Sequence, residues 1–173
     1  MTNKDQDTEV ILDEEYEFCV DEVLPPEYKM CGLISEWLKT NLENLQDDYG
    51  HKIFNKVNYG YNEETLKSFG KKPVVDVYVD NIEYDSDFQY NSPVKAHTII
   101  IFHIKGGNSD NSYLAACQIH DYLMNKFLTE KDWRELNNVI SETVITNSQL
   151  LNHPRSGWAV MGAFELEHTL YRF

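Results

Sequence analysis

Carboxylates and histidines spaced along strand-like runs are the residues of this chain whose types and positions could do chemistry. Val74–Asp85 (VVDVYVDNIEYD) alternates so that Asp76 and Asp80 share a face. Glu165 and Glu167 share a face in the same way near the C-terminus. Same-face carboxylate pairs can serve acid–base work, and they can equally form a plain acidic surface. His97 and His103 lie six residues apart on one strand face, which separates them by roughly 20 Å, too far for one metal ion to bridge. His120 and Asp121 are adjacent on a helix and point in different directions, while His153 and His168 have no ligand spacing around them. The turn Gly106–Ser112 (GGNSDNS) joins a strand to a helix but lacks the Gly-Lys-Ser/Thr ending that a phosphate loop needs. No Gly-x-Ser-x-Gly elbow occurs, and Cys19, Cys31 and Cys117 sit in no nucleophile context. These residues therefore predict no catalytic site, no cofactor site and no metal site.

The elements that would position these side chains centre on residues 94–128. In Lys95–Lys105 (KAHTIIIFHIK), Thr98, Ile100, Phe102 and Ile104 share one face, and His97, Ile99, Ile101 and His103 the other. The Gly-Gly turn follows, with Asp110, Asn111 or Ser112 available as a helix cap. Tyr113–Leu128 then carries Ala116, Ile119, Leu123 and Phe127 at helical spacing. Upstream, Pro25-Pro26 opens a long amphipathic helix over Glu27–Asp47, marked by Met30, Leu33, Ile34, Trp37, Leu38, Leu42 and Leu45. It ends near Asp47–Gly50. Lys52–Val57 predicts a short strand, Asn58–Asn62 a loop and Glu63–Phe69 a short helix. Val74–Asp85 and the Lys95 strand pair as a hairpin across the polar loop Ser86–Pro93. Thr129–Asn138 reads as a short helix capped by Thr129, and Glu142–Asn147 as a strand. In the final strand, Trp158–Phe173, Trp158, Val160, Phe164, Leu166 and Leu170 share a parity, and Gly162 suggests a bulge.

Length and charge bound what such a unit does. The 173 residues suit one main domain, with 42% hydrophobic and 13% aromatic residues, enough for a packed core. No apolar run reaches the roughly 18 residues of a membrane span and no signal-peptide pattern appears, so a product made in the cytoplasm is expected. Three widely spaced cysteines fit reduced thiols better than a disulfide framework. Residues 1–48 carry 14 acidic and 3 basic side chains, a net −11, whereas residues 49–173 carry 15 and 12, a net −3. Such a surface repels phosphate and argues against sequence-specific nucleic-acid binding. Residues 1–24 form an acidic arm, disordered or docking, in which Tyr16, Phe18 and Val20 alternate as in a strand. The expected organisation is that arm, then one α+β domain over 25–173. Its antiparallel or mixed sheet of about four strands packs against one long N-terminal helix and one central helix.

This order of elements resembles the tail-terminator, or tail-completion, and neck proteins of long-tailed bacteriophages. The resemblance rests on Val74–Asp85, the HTIIIFHIK strand with its Gly-Gly turn, Tyr113–Leu128 and the terminal WAVMGAFELEHTLYRF strand, covering roughly residues 27–173. It implies a non-enzymatic structural virion protein of the tail or neck, without cofactors, whose subunits form a ring, commonly a hexamer. The ring would cap the tail tube and join it to the head connector, with DNA passing through the lumen. On that reading Asp76, Asp80, Glu165 and Glu167 are candidate lumen-facing acids. The loop residues Asp85, Asp87, Phe88 and Tyr90 are candidates for contact with a neighbouring subunit or the tube, since two aromatics sit in an otherwise polar loop. The alternatives are a head-side neck or head-closure protein and an acidic monomeric binding module of the DNA-mimic type. The concentration of charge before residue 49 favours an arm over a mimic.

Overall fold

The computed structural model describes residues 26–60, 73–83, 94–105, 108–152 and 159–171. Two helices and five strands follow the order α1 (Pro26–Glu43), β1 (Lys56–Tyr59), β2 (Val74–Glu83), β3 (Val94–Lys105), α2 (Ser109–Thr129), β4 (Ile140–Asn152) and β5 (Ala159–Leu170). The strands form one mixed sheet in the order β1-β2-β3-β5-β4. The β1–β2 pair is parallel and the other three pairs are antiparallel. The architecture is α+β, with five strands rather than about four.

The first strand lies at Lys56–Tyr59, shifted from the expected Lys52–Val57. Asn58 and Tyr59 belong to a strand and not to a loop, because the run from Lys56 to Tyr59 pairs in parallel with Val74–Val77. That pairing is tertiary, and nothing in the local sequence announces it. The hairpin of β2 and β3 forms as expected, with Val77 opposite Ile100 and Asp76 opposite Ile101. Its connecting loop lies outside the described residues, as do the expected short helix over Glu63–Phe69 and residues 1–25.

One sheet face carries the core. Val75 and Val77 of β2, Ile100 and Phe102 of β3, and Phe164 and Leu166 of β5 are almost completely buried there. From α1, Ile34, Leu38 and Leu42 close over it at four-residue spacing, and from α2, Ala116, Leu123 and Phe127 do the same. Leu33, which fell in the expected apolar series, is half exposed instead. The helix α1 stops at Glu43, short of Asp47. The Asp47 carboxylate accepts hydrogen bonds from the backbone N–H of Tyr49 (2.9 Å) and His51 (2.8 Å), which fixes a tight turn. Gly50 occupies a positive φ of 80° in that turn. These backbone donors, that of His51 foremost, hold the Asp47 carboxyl below its ordinary pKa.

Asn108 caps α2 by accepting from the Asn111 N–H at 2.8 Å, two positions before the nearest of the capping candidates read in the sequence. The helix continues to Thr129, whose hydroxyl donates back to the Asn125 carbonyl instead of capping a new helix. The expected helix over 129–138 is reduced to one 3₁₀ turn, Lys131–Trp133. Trp133 anchors that turn in the core, edge-on to Phe127 at 5.2 Å. The Trp37 indole N–H and the Asn41 amide of α1 both donate to the Asp132 carbonyl, at 3.1 and 2.9 Å. A single backbone oxygen thus ties the first helix to the turn after the second.

Gly162 does not form a bulge. The β3–β5 register runs unbroken from Val94↔Leu170 to Lys105↔Ala159, with Gly162 opposite Phe102. The Phe102 ring lies over Gly162: a Cβ built there would sit 2.0 Å from Cζ of that ring. Glycine is required for close approach, and not for a break in the ladder. The irregularities fall elsewhere, at Val79/Asn81 in β2 and at two points in β4.

Candidate functional site

Of the residues that the sequence singles out for chemistry, the second face of the sheet holds Asp76, His97, His103, Glu165 and Glu167. Among the described residues neither helix packs on it; both lie on the core face through the contacts given above. Register places Asp76, Tyr78, His97, Ile99, Ile101, His103, Met161, Ala163, Glu165 and Glu167 together on this second face. Its three zones differ in character.

At one end is a buried polar cluster. Asp76 and His103 have no solvent exposure, and Asn58 next to them is 9% exposed. The Asn58 side-chain amide donates to Asp76 Oδ1 at 2.7 Å. His103 Nε2 stands 3.4 Å from Asp76 Oδ2. Three strands therefore converge on one carboxylate, and a buried carboxylate is tolerable because polar partners replace water around it. A histidine beside a carboxylate is a common acid–base arrangement. With both groups sealed from solvent, its chemistry in this conformation is to join β1, β2 and β3. Asp76 is consequently buried within the subunit, where the resemblance implies a lumen-facing acid. Asn58 was missed by the sequence reading because it was assigned to a loop.

The middle zone is apolar, with half-buried Tyr78, Ile99, Ile101, Met161 and Ala163. On the outer strand Leu151, opposite Met161, extends this zone and is 42% exposed, while Val144, 46% exposed, lies opposite Glu167 in the charged zone.

Charged residues occupy the far end. The Lys95 ammonium donates to Glu167 at 2.8 Å, and this hydrogen bond raises the Lys95 pKa. His97 Nε2 lies 3.6 Å from Glu83. Glu167 is thus neutralised within the subunit, whereas Glu165 is exposed and accepts from the Asn147 amide at 3.2 Å. Asp80 is exposed at the β2 irregularity, the residue skipped between Val79 and Asn81 in the register. The pairs Asp76/Asp80 and Glu165/Glu167 are therefore split, one member of each exposed and the other buried or ion-paired. Asp85, Asp87, Phe88 and Tyr90 lie outside the described residues.

On the core face lies His168, which has no ligand spacing around it in the sequence. It bridges two threonines, with Nδ1 2.8 Å from Thr143 Oγ1 and Nε2 3.0 Å from Thr98 Oγ1. Trp37 packs edge-on to its ring at 5.8 Å. Burial, with a smaller contribution from His97, pushes its pKa down to about 3, so it is neutral at physiological pH. No group of three or more metal-ligating side chains is present among the described residues. No helix among them is long and apolar enough to cross a membrane. Compared with protein-family models and with curated proteins, the chain matches none.

Proposed function

We propose that this chain is a structural virion protein whose copies form a ring, commonly a hexamer, that caps a phage tail tube and joins it to the head connector. The observation that supports this reading best is the one-sided sheet. Both described helices cover one face, and the other carries an apolar zone running out to exposed Leu151, with exposed Val144 beside the charged end. A ring subunit has use for such a face, because a neighbour in a closed heterologous assembly covers it. The element order supports the same reading through the resemblance described above. In this proposal DNA passes through the lumen without sequence-specific contact, and Asp80 and Glu165 supply the acidic wall, Asp76 being buried and Glu167 paired with Lys95. Asp85, Asp87, Phe88 and Tyr90 contact the neighbouring subunit or the tube.

Electron microscopy of the purified protein mixed with tail tubes tests the proposal. Rings seated at tube ends are expected. Tubes whose ends stay bare at saturating protein concentration contradict it.

A further inference from the structure

A groove of about 550 Å³ runs along the outer edge of the sheet, between the C-terminal half of α2 and β4. One wall is the backbone and side chains of β4 from Glu142 to Ser148; the other is Met124, Phe127 and Leu128 of α2, with Arg134 beside them. Three properties make this groove a seat for an extended segment. First, β4 is the terminal strand among the described residues, so its outer N–H and C=O groups face away from the ladder. Second, its residues 143–152 (TVITNSQLLN) contain no charge and no proline, the devices that usually blunt a sheet edge. Third, Leu128 is 64% exposed at the rim, an apolar anchor point in water.

The groove also has a charge preference. Arg134 is the one basic lining residue, its Nε is buried, and that Nε has no hydrogen-bond partner among the described residues. A buried guanidinium nitrogen left unsatisfied costs free energy that a carboxylate would recover. Glu142, the one acidic lining residue, makes no ion pair with it among the described residues. The fitting occupant is an extended segment with alternating apolar side chains and carboxylates between them. The chain contains a close match: Asp13–Glu22 (DEEYEFCVDE) has six carboxylates, and Tyr16, Phe18 and Val20 alternate with Glu15, Glu17, Cys19 and Asp21. It precedes α1 and belongs to the arm outside the described residues.

We propose that the groove between α2 and β4 is the docking site of the acidic N-terminal arm, which adds along β4 as an extra strand. Main-chain bonds to the β4 edge hold it, one face of Tyr16, Phe18 and Val20 packs toward Phe127 and Leu128, and a carboxylate reaches Arg134. The inference stands independently of ring formation.

Amide hydrogen exchange on the full-length chain, read by mass spectrometry, tests it. Residues 143–148 and 14–20 are expected to be protected together in the wild type. Phe18→Asp and Arg134→Glu should each speed exchange in both segments by about tenfold or more, with β3 and β5 unchanged. If Arg134→Glu disturbs β3 and β5, Phe18→Asp decides alone. Exchange at 143–148 that Phe18→Asp leaves unaltered overturns the proposal. Protection of 143–148 that varies with protein concentration and is insensitive to Phe18→Asp assigns the groove to a second copy's sheet edge, and also overturns it.

Discussion

Replacing Gly162 with Ala probes the packing that holds the sheet together. In a strand without other constraints this change stabilises a protein by roughly 0.5–1 kcal/mol, because glycine has more backbone freedom to lose. Here the sign reverses. The new methyl carbon would sit 2.0, 2.3 and 2.6 Å from Cζ, Cε1 and Cε2 of Phe102. Carbon atoms sit comfortably at about 3.5–4 Å, so the ring or the strand must move by about 1.5 Å. Phe102 is completely buried, with Phe164 6.3 Å away centroid to centroid, and has little room to retreat. The expected loss is about 3 kcal/mol, at the upper end for an overpacked core. For a domain of this size that lowers Tm by about 6–12 °C. The assay is thermal and urea unfolding of wild type, Gly162→Ala, Phe102→Leu and the double variant. In the Phe102→Leu background the alanine should cost under about 1 kcal/mol, giving a coupling of about 2 kcal/mol. A Gly162→Ala protein as stable as the wild type, or a cycle without coupling, would refute the reasoning.

Three further outcomes follow from the same geometry. His168 has a folded pKa of about 3, below the ordinary histidine value near 6.5, so the unfolded chain takes up the proton first as pH falls. The contribution of neutral His168 is intact above about pH 6.5 and is lost progressively toward pH 3, about 2 kcal/mol by pH 5; urea midpoints across that range should show it, and His168→Gln should flatten the slope. Asn58→Ala removes the amide that donates to buried Asp76 Oδ1 and should cost about 1–3 kcal/mol in chemical denaturation, against near neutrality for Asp80→Ala on the surface. Asn108→Ala removes the α2 cap and should cost about 1 kcal/mol, with faster amide exchange confined to the first turn of that helix.

Much of the fold was legible because burial alternates along the central strands. The faces of β3 were assigned correctly from alternation alone, with Thr98, Ile100 and Phe102 inward, and so was the inward parity of Val160, Phe164 and Leu166 in β5. What stayed hidden depends on partners distant in the chain. The strand at Asn58 exists because β2 pairs with it, and Gly162 is needed because a ring on β3 lies over it. Asp76 was read as a surface carboxylate because an acidic residue opposite a valine stripe usually faces water. Its burial depends on Asn58 and His103, brought from two other strands. The groove beside β4 gave no motif at all. Its signal was negative, a run of ten uncharged residues in a chain of net charge −14.

In the proposed ring, the sheet face left open by α1 and α2 seats against further copies of this chain. Native mass spectrometry of the full-length protein across a concentration series tests it most directly. One dominant species at a fixed multiple of the 20.2 kDa subunit, a hexamer being the foremost expectation, is predicted. A monomer that persists at every concentration, with or without tail tubes present, would contradict it.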